Sequence, residues 1–364
     1  MQQPVTSKTT AILRRLADAG RARQIHMADL SRGGIACAVP AILAVYCHNP
    51  LLGWSAIAAF WSCISLPGGR FANRCRFALV FSLAGAFASG LGVWSAACAP
   101  LMIGLAAVIG FCGAFASVAG KRISVPALLV ATAFAVSTAV AGNSLEHAVG
   151  YACYFLYGSL WASGINLLSW RPRERAVLPD EPPAPLSSLL RQHLNLGSHG
   201  FLHGVCVALA TAIAVAAVHY CAVDHGYWMT LTVLLISQPG FAATLKVSVE
   251  RVAGTLLGAL IAMLLGHFIH SPLLMVWLIL PLSIGTLACR NISYLAFTLF
   301  LTPHFILVAQ LGQPGDAEIG LTYLRVLNSL AAALLVIMIA LVARPLWKKR
   351  DRQEPSAGSK ARSS

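Results

Sequence analysis

The sequence predicts an all-α fold: a polytopic membrane helix bundle of about twelve transmembrane helices, built as two parallel six-helix repeats with both termini cytoplasmic. Its composition is 58% hydrophobic and only 10% charged over 364 residues, with a mean hydropathy of +0.74, which is more apolar than a soluble core can accommodate. Apolar runs approaching about 20 residues, the length that crosses about 30 Å of hydrocarbon, recur along the chain. All but one of the 26 Lys and Arg residues fall in alternate connecting segments. That alternation is the positive-inside pattern of cytoplasmic loops.

The apolar runs give twelve expected spans. They cover residues 33–48, 52–67, 76–94, 97–119, 124–142, 147–169, 201–222, 226–237, 247–268, 272–288, 292–311 and 322–343. The net charge of +14 is then explained by orientation in a lipid bilayer, and a nucleic-acid partner is not expected.

Changes in composition divide the chain into five expected segments. A basic cytoplasmic N-terminal segment, 1–32, precedes the first membrane repeat, 33–170. A linker rich in proline and charge, 171–198, leads to the second repeat, 199–345, and a basic cytoplasmic tail, 346–364, follows.

The duplication is visible in spacing. Trp54 opens a span that ends at LPGGR, and Arg76 begins the next span; Trp228 opens a span that ends at SQPG, and Arg251 follows in the same way. Six spans per block is an even number, so the two repeats enter the membrane in the same direction.

The helix that follows the second of these turns carries a polar and small-residue face. Arg251, Gly254, Thr255 and Gly258 stand at i, i+3, i+4 and i+7, so they share one side of the helix. The glycines either pack a neighbouring helix closely or line a transport path. Arg251 either snorkels to the headgroups or presents a positive charge to carboxylates at the cytoplasmic mouth of such a path.

The same residues closely resemble the signature of the fusaric acid resistance family, which is related to aromatic acid exporters. The matching positions are Trp228, Thr232, Gln238, Pro239, Thr244, Lys246, Arg251, Gly254, Thr255 and Gly258. The resemblance implies a multi-pass protein of the bacterial inner membrane that transports organic acids. Leu79, Val80 and Leu83 replace the Gly-Thr-Gly positions in the first block, so the implied transport role belongs to the second.

Gln238 and Pro239 lie at the turn between two apolar runs. Pro239 either stops the helix or opens a re-entrant entrance in which Gln238 is a polar contact.

Two ionisable residues lie inside expected spans, where charge is costly and tends to face a cavity or a partner. His304, beside Pro303, either bonds a neighbouring helix or carries the proton of a coupled transporter. Arg325 either pairs with Asp316 or Glu318 or binds a substrate carboxylate.

We expect no enzymatic activity, because phosphate-binding loops, zincin motifs and nucleophile elbows are absent from the sequence. No cofactor is expected. No metal site is expected either, since His267 and His270 lack a third ligand at suitable spacing.

The sequence and the resemblance together favour a secondary transporter that drives efflux of aromatic or other hydrophobic organic acids with the proton gradient. A passive organic-anion channel and a non-transporting membrane scaffold are the alternatives. A homo-oligomer or a periplasmic partner protein is a further expectation.

Overall fold

The fold was obtained as a computed structural model that describes most of the chain. The described residues are 30–67, 70–140, 142, 144–168, 186–269, 271–290, 292–312 and 318–353. Most of the expected N-terminal segment, the linker up to residue 185 and the tail beyond residue 353 lie outside these ranges.

Every regular element in the described part is a helix, which confirms the all-α prediction. The first block contains α1 Leu30–Tyr46, α2 Leu51–Ser65, α3 Phe71–Ser95, α4 Ala99–Phe115 with a 3₁₀ extension Ala116–Ala119, α5 Lys121–Ser137 and α6 Leu145–Leu168. After α7 Leu186–His193, the second block contains α8 His199–Tyr220, α9 Tyr227–Ile236, α10 Phe241–Phe268, α11 Pro272–Cys289, α12 Tyr294–Gly312 and α13 Glu318–Gln353.

Within the described ranges, five helices are long and apolar enough to cross a membrane: α3, α4 with its extension, α8, α10 and α13. Five more, α1, α2, α9, α11 and α12, are shorter apolar helices. Each of the twelve expected spans overlaps one helix of α1–α6 or α8–α13. The protein is therefore a multi-pass membrane protein, as predicted.

Helices lie in two of the segments that were expected to be linker and tail. The expected linker contains α7, whose eight residues pack against the 3₁₀ segment and α8. The last helix, α13, has 36 residues and runs through Gln353 into the expected tail. Both helices extend into polar sequence, where hydropathy gives no signal.

The main helix contacts of the two blocks correspond. In the first block, α3 packs against α5 and α6, α4 against α5, and α2 against α6. In the second block, α10 packs against α12 and α13, α11 against α12, and α9 against α13. Between the blocks, α5 contacts α9 where α12 contacts α2, and α4 contacts α8 where α1 meets α11 through Gly33 and Gly34.

The interior of the first block is closed by hydrogen-bonded hydroxyl groups. Ser159 Oγ on α6 lies 2.7 Å from Ser62 Oγ on α2 and 2.6 Å from Ser82 Oγ on α3. Ser62 also donates to the carbonyl oxygen of Ala58 at 2.9 Å. These three buried hydroxyl groups thus satisfy one another where α2, α3 and α6 meet.

Candidate functional site

Two arginines are completely buried where α9, α10, α12 and α13 meet in the second block. Arg251 on α10 and Arg325 on α13 each have 0% of their surface exposed, and they are close enough to repel each other electrostatically. Arg76, which the repeat spacing matches to Arg251, is exposed instead. The snorkelling interpretation of Arg251 is therefore wrong, and the two blocks differ at this position.

Neither guanidinium group has a hydrogen-bond partner among the described residues, and all six nitrogens are buried. Other arginines of the chain do have partners: Arg74 donates to the carbonyl oxygen of Pro67 at 2.9 Å, and Arg290 to that of Ile64 at 2.8 Å. Unpaired buried charge is strongly unfavourable. The described part of the structure therefore supplies no hydrogen-bonded counter-charge for the arginine pair.

The acidic neighbour of Arg251 does not neutralise it. The carboxylate of Glu250 lies 3.9 Å from Lys246 Nζ, one helical turn away on the outer side of α10. Asp316 and the side chain of Glu318, the partners proposed for Arg325, fall outside the described part of the chain.

Hydroxyl groups surround the arginines on the same helix faces. Ser248, Arg251 and Thr255 stand at i, i+3 and i+7 on α10, and Thr322, Arg325 and Ser329 repeat that spacing on α13. Within the described residues, six buried hydroxyls of these four helices lack a partner: Thr232, Ser248, Thr255, Tyr294, Thr322 and Ser329. Such groups can donate hydrogen bonds to a bound anion.

Trp228 forms one wall of this site. Its ring lies 5.4 Å from the guanidinium carbon of Arg325, and its exposed fraction is 2%. A cation above an aromatic face is stabilised by the ring quadrupole, so Trp228 fixes the position of Arg325.

Trp228 also lines an aromatic cavity between the two blocks. The cavity has a volume of about 270 Å³ and is lined by α2, the end of α5, α6, α9 and α12. Its aromatic walls are Trp54, Trp61, Tyr151, Tyr227, Trp228 and Phe305. The indole ring of Trp228 therefore contacts Arg325 of the buried arginine pair and also lines the aromatic cavity.

The glycines of the motif pack α10 against α12. A β-carbon added at Gly254 would lie 2.7 Å from the carbonyl oxygen of Leu295, and one at Gly258 would lie 2.7 Å from that of Leu299. This is the geometry of close helix packing. Their close contact holds Arg251 and Thr255 in position.

The Gln-Pro turn joins α9 to α10. Thr244 Oγ1 donates to the carbonyl oxygen of Gln238 at 2.9 Å and accepts from its amide at 3.2 Å. Gly240 follows Pro239 with φ of +103°, a conformation that only glycine adopts readily. The turn is thus fixed locally, and Pro239 lies where α9 has ended.

His304 is completely buried on a different side of α12 from the arginine pair. Its Nε2 lies 3.3 Å from Cys37 Sγ on α1 and 3.3 Å from Ser283 Oγ on α11, whereas Thr298 and Thr302 of α12 face the glycines of α10. The structure does not bring His304 together with Arg251 and Arg325.

Sequence reasoning named Arg251, Thr255, Arg325, Trp228 and Thr232 but missed the other members of the site. Ser248, Tyr294, Thr322 and Ser329 were overlooked because single hydroxyls are common in membrane helices. The repeated hydroxyl–Arg–hydroxyl spacing on α10 and α13 is the signal that could have found three of them.

Fold and site define a multi-pass membrane protein with a buried basic centre in its second block. Residues 204–339, which contain that centre, match the sequence profile of the family described as Fusaric acid resistance protein-like. Over these residues the chain is similar to that family, as the motif predicted.

Two bacterial relatives illustrate the relationship. The chain is 31% identical over 211 residues to "Inner membrane protein YccS" of Escherichia coli (strain K12), covering 54% of this chain and 29% of that protein. It is 33% identical over 113 residues to "Uncharacterized protein ORF2" of Neisseria gonorrhoeae, covering 31% of this chain and 27% of that protein.

The chain thus spans less than a third of the length of these curated relatives. The relationship and the apolar helices together place it in the bacterial inner membrane. No solved structure shows significant similarity to it.

Proposed function

We propose that the protein is a secondary transporter that exports aromatic or other hydrophobic organic acids, driven by the proton gradient. The observation that carries this proposal is the buried pair Arg251 and Arg325, which has no partner among the described residues. Guanidinium groups bind carboxylates through paired, charge-assisted hydrogen bonds. An organic acid supplies the negative charge that this site lacks.

The aromatic cavity supports the hydrophobic part of the substrate. Ligand sites are typically apolar cavities with a few convergent polar groups, and aromatic rings favour stacking on aromatic walls. In this arrangement the acid group lies at Arg325 and the hydrocarbon body lies on the far side of Trp228. We propose that movement of Trp228 joins the two compartments during transport.

We further propose that the twelve apolar helices are twelve spans in two parallel repeats, with both termini cytoplasmic. Corresponding helix contacts in the two blocks and the alternation of basic segments along the sequence support this topology. A parallel repeat creates a pseudo-two-fold axis along the membrane normal. The aromatic cavity, bounded by the related tryptophans Trp54 and Trp228, lies between the two blocks.

His304 is the proposed proton carrier. Ser283 directs its hydroxyl hydrogen to the carbonyl oxygen of Ile279 at 2.7 Å, and Cys37 directs its thiol to that of Ala56 at 3.4 Å. Nε2 of His304 is then the donor toward both groups, which leaves Nδ1 as an unprotonated nitrogen with no partner in the described structure. A proton bound at Nδ1 would act on the anion site indirectly, by changing how α12 packs, and would not itself move to that site.

A passive organic-anion channel remains the second candidate. Acidic groups are scarce in the described helices, and such groups commonly serve as proton relays in coupled transporters. The same basic centre would then select anions without coupling.

Flux in proteoliposomes tests the proposal. Purified protein is reconstituted, and labelled benzoate is followed with and without a pH gradient while the membrane potential is clamped separately. Accumulation beyond the weak-acid distribution of protein-free vesicles is the expected result. Flux that only dissipates the benzoate gradient would support the channel, and no flux for any organic anion would reject both.

A further inference from the structure

The arginine pair carries information about the charge of its ligand. We infer that this centre binds one anion that carries two negative charges, which it shares between Arg251 and Arg325. As a statement about a transported substrate this rests on the proposed function, whereas the binding itself can be measured without transport.

The charge balance of the described residues leads to this inference. Two guanidinium groups are completely buried, repel each other and lack hydrogen-bond partners. A monocarboxylate neutralises only one of them and leaves the other as an uncompensated buried charge, which costs several kcal/mol. A dianion removes both charges and replaces their mutual repulsion with two attractions.

The neutral groups around the pair favour the same ligand. The six unpartnered hydroxyls lie on the helices that carry the arginines or pack against them. Hydroxyl and guanidinium donors together exceed what a single carboxylate can accept, since one carboxylate offers about four lone-pair sites. Two carboxylates, or one phosphate group, use more of these donors.

The position of Trp228 adds an aromatic requirement. Its ring covers Arg325 at 5.4 Å and continues into the cavity of about 270 Å³. An anion whose charged groups stand on an aromatic ring can contact both arginines and stack on the indole. Aromatic dicarboxylates and aryl phosphates share this chemistry.

Binding to the purified protein in detergent tests the inference, with isothermal titration calorimetry as the readout. The probes are benzoate, the three benzenedicarboxylate isomers and phenyl phosphate. At least one dianion should bind about ten- to a hundredfold more tightly than benzoate, because charge-assisted hydrogen bonds to a second group are added. The stoichiometry should be one per chain.

Variants assign that preference to the pair. Arg251→Gln and Arg325→Gln should each reduce the preference for the dianion to about twofold or less, while Arg344→Gln, a change at an exposed position of α13, should leave it intact. Arg251→Lys keeps the charge but loses the planar fork, so it should weaken binding and retain the preference. Arg251→Lys also provides a binding measurement if a glutamine variant fails to fold.

The outcomes are decisive. Equal affinity for benzoate and every dianion, two benzoates bound per chain, or a preference that survives loss of either arginine would overturn the inference. Preference for a dicarboxylate isomer places the charges on separate groups, and preference for phenyl phosphate places them on one. If the dianion preference holds but no flux is found, the proposed function fails alone; if benzoate is exported without any dianion preference, the inference fails alone.

Discussion

Replacing Arg325 with methionine should stabilise the protein in the absence of ligand. Methionine has a similar length and fills an apolar site without charge. If Arg325 has no counter-ion, the substitution removes a desolvated charge worth several kcal/mol and its repulsion with Arg251. It also loses the contact with Trp228, worth up to about 2 kcal/mol when desolvated. The expected net gain is about 1–4 kcal/mol.

The opposite sign is expected if an acidic group pairs with Arg325. Removing one partner of a buried ion pair costs about 3–5 kcal/mol, because the other charge is left alone. Asp316 and Glu318 are close enough in sequence to be that partner. The sign of the change therefore distinguishes an anion site from an internal ion pair.

Thermal unfolding of the protein in detergent, without organic anions, measures this difference. Lys348→Met is the matched control on the same helix; its side chain is exposed, and surface changes usually stay within about 0.5 kcal/mol. Adding ligand at a hundred times its Kd should stabilise the wild type by about 2.7 kcal/mol and the Arg325→Met variant by much less. A destabilised variant would refute the view that Arg325 lacks a counter-ion.

Three further experiments test other parts of the structure. Gly258→Ala should destabilise by about 1–3 kcal/mol because its β-carbon meets α12, whereas Gly164→Ala, with open space around it, should be neutral or stabilising; equal effects in unfolding measurements would contradict the packing role. His304→Ala should abolish pH-driven accumulation in proteoliposomes and preserve passive flux, and unchanged accumulation would remove His304 from coupling. Ser159→Ala should lower the free energy of unfolding by about 1–3 kcal/mol without altering anion binding. Thr255→Ala should weaken anion binding without loss of stability. The reverse result, from unfolding and titration measurements on both variants, would exclude the assigned roles.

Hydropathy predicted the helices well because a membrane span must be both apolar and helical. The run 226–237 corresponds to α9 at Tyr227–Ile236. Hydropathy gave the wrong boundary where a helix extends beyond its apolar run. The run 247–268 corresponds to α10, which already begins at Phe241. Hydropathy measures the part of a helix that lipid or protein buries, and the first turns of α10, up to the exposed Lys246, fall outside that part.

The site was predictable only one residue at a time. Arg325 was singled out as a charge inside a span and Arg251 as part of a motif, but nothing in the sequence places them together. Their proximity depends on packing of α10 against α13, which no local pattern encodes. Gly254 and Gly258 show the same limit, since a small-residue face is compatible with both a helix contact and a path.

The two blocks use equivalent helix contacts for different purposes. Where α2, α3 and α6 meet, Ser62, Ser82 and Ser159 hydrogen-bond to one another, so these three buried hydroxyl groups are satisfied within the first block. Where the equivalent helices α9, α10 and α13 meet, Arg251 and Arg325 remain unpaired among the described residues. Buried unpaired charge persists only when the surrounding packing holds it in place. The first block, joined to the second through α4–α8, α5–α9 and α2–α12 contacts, contributes to that packing. We propose that the first block has a structural role and that the second contains the anion site.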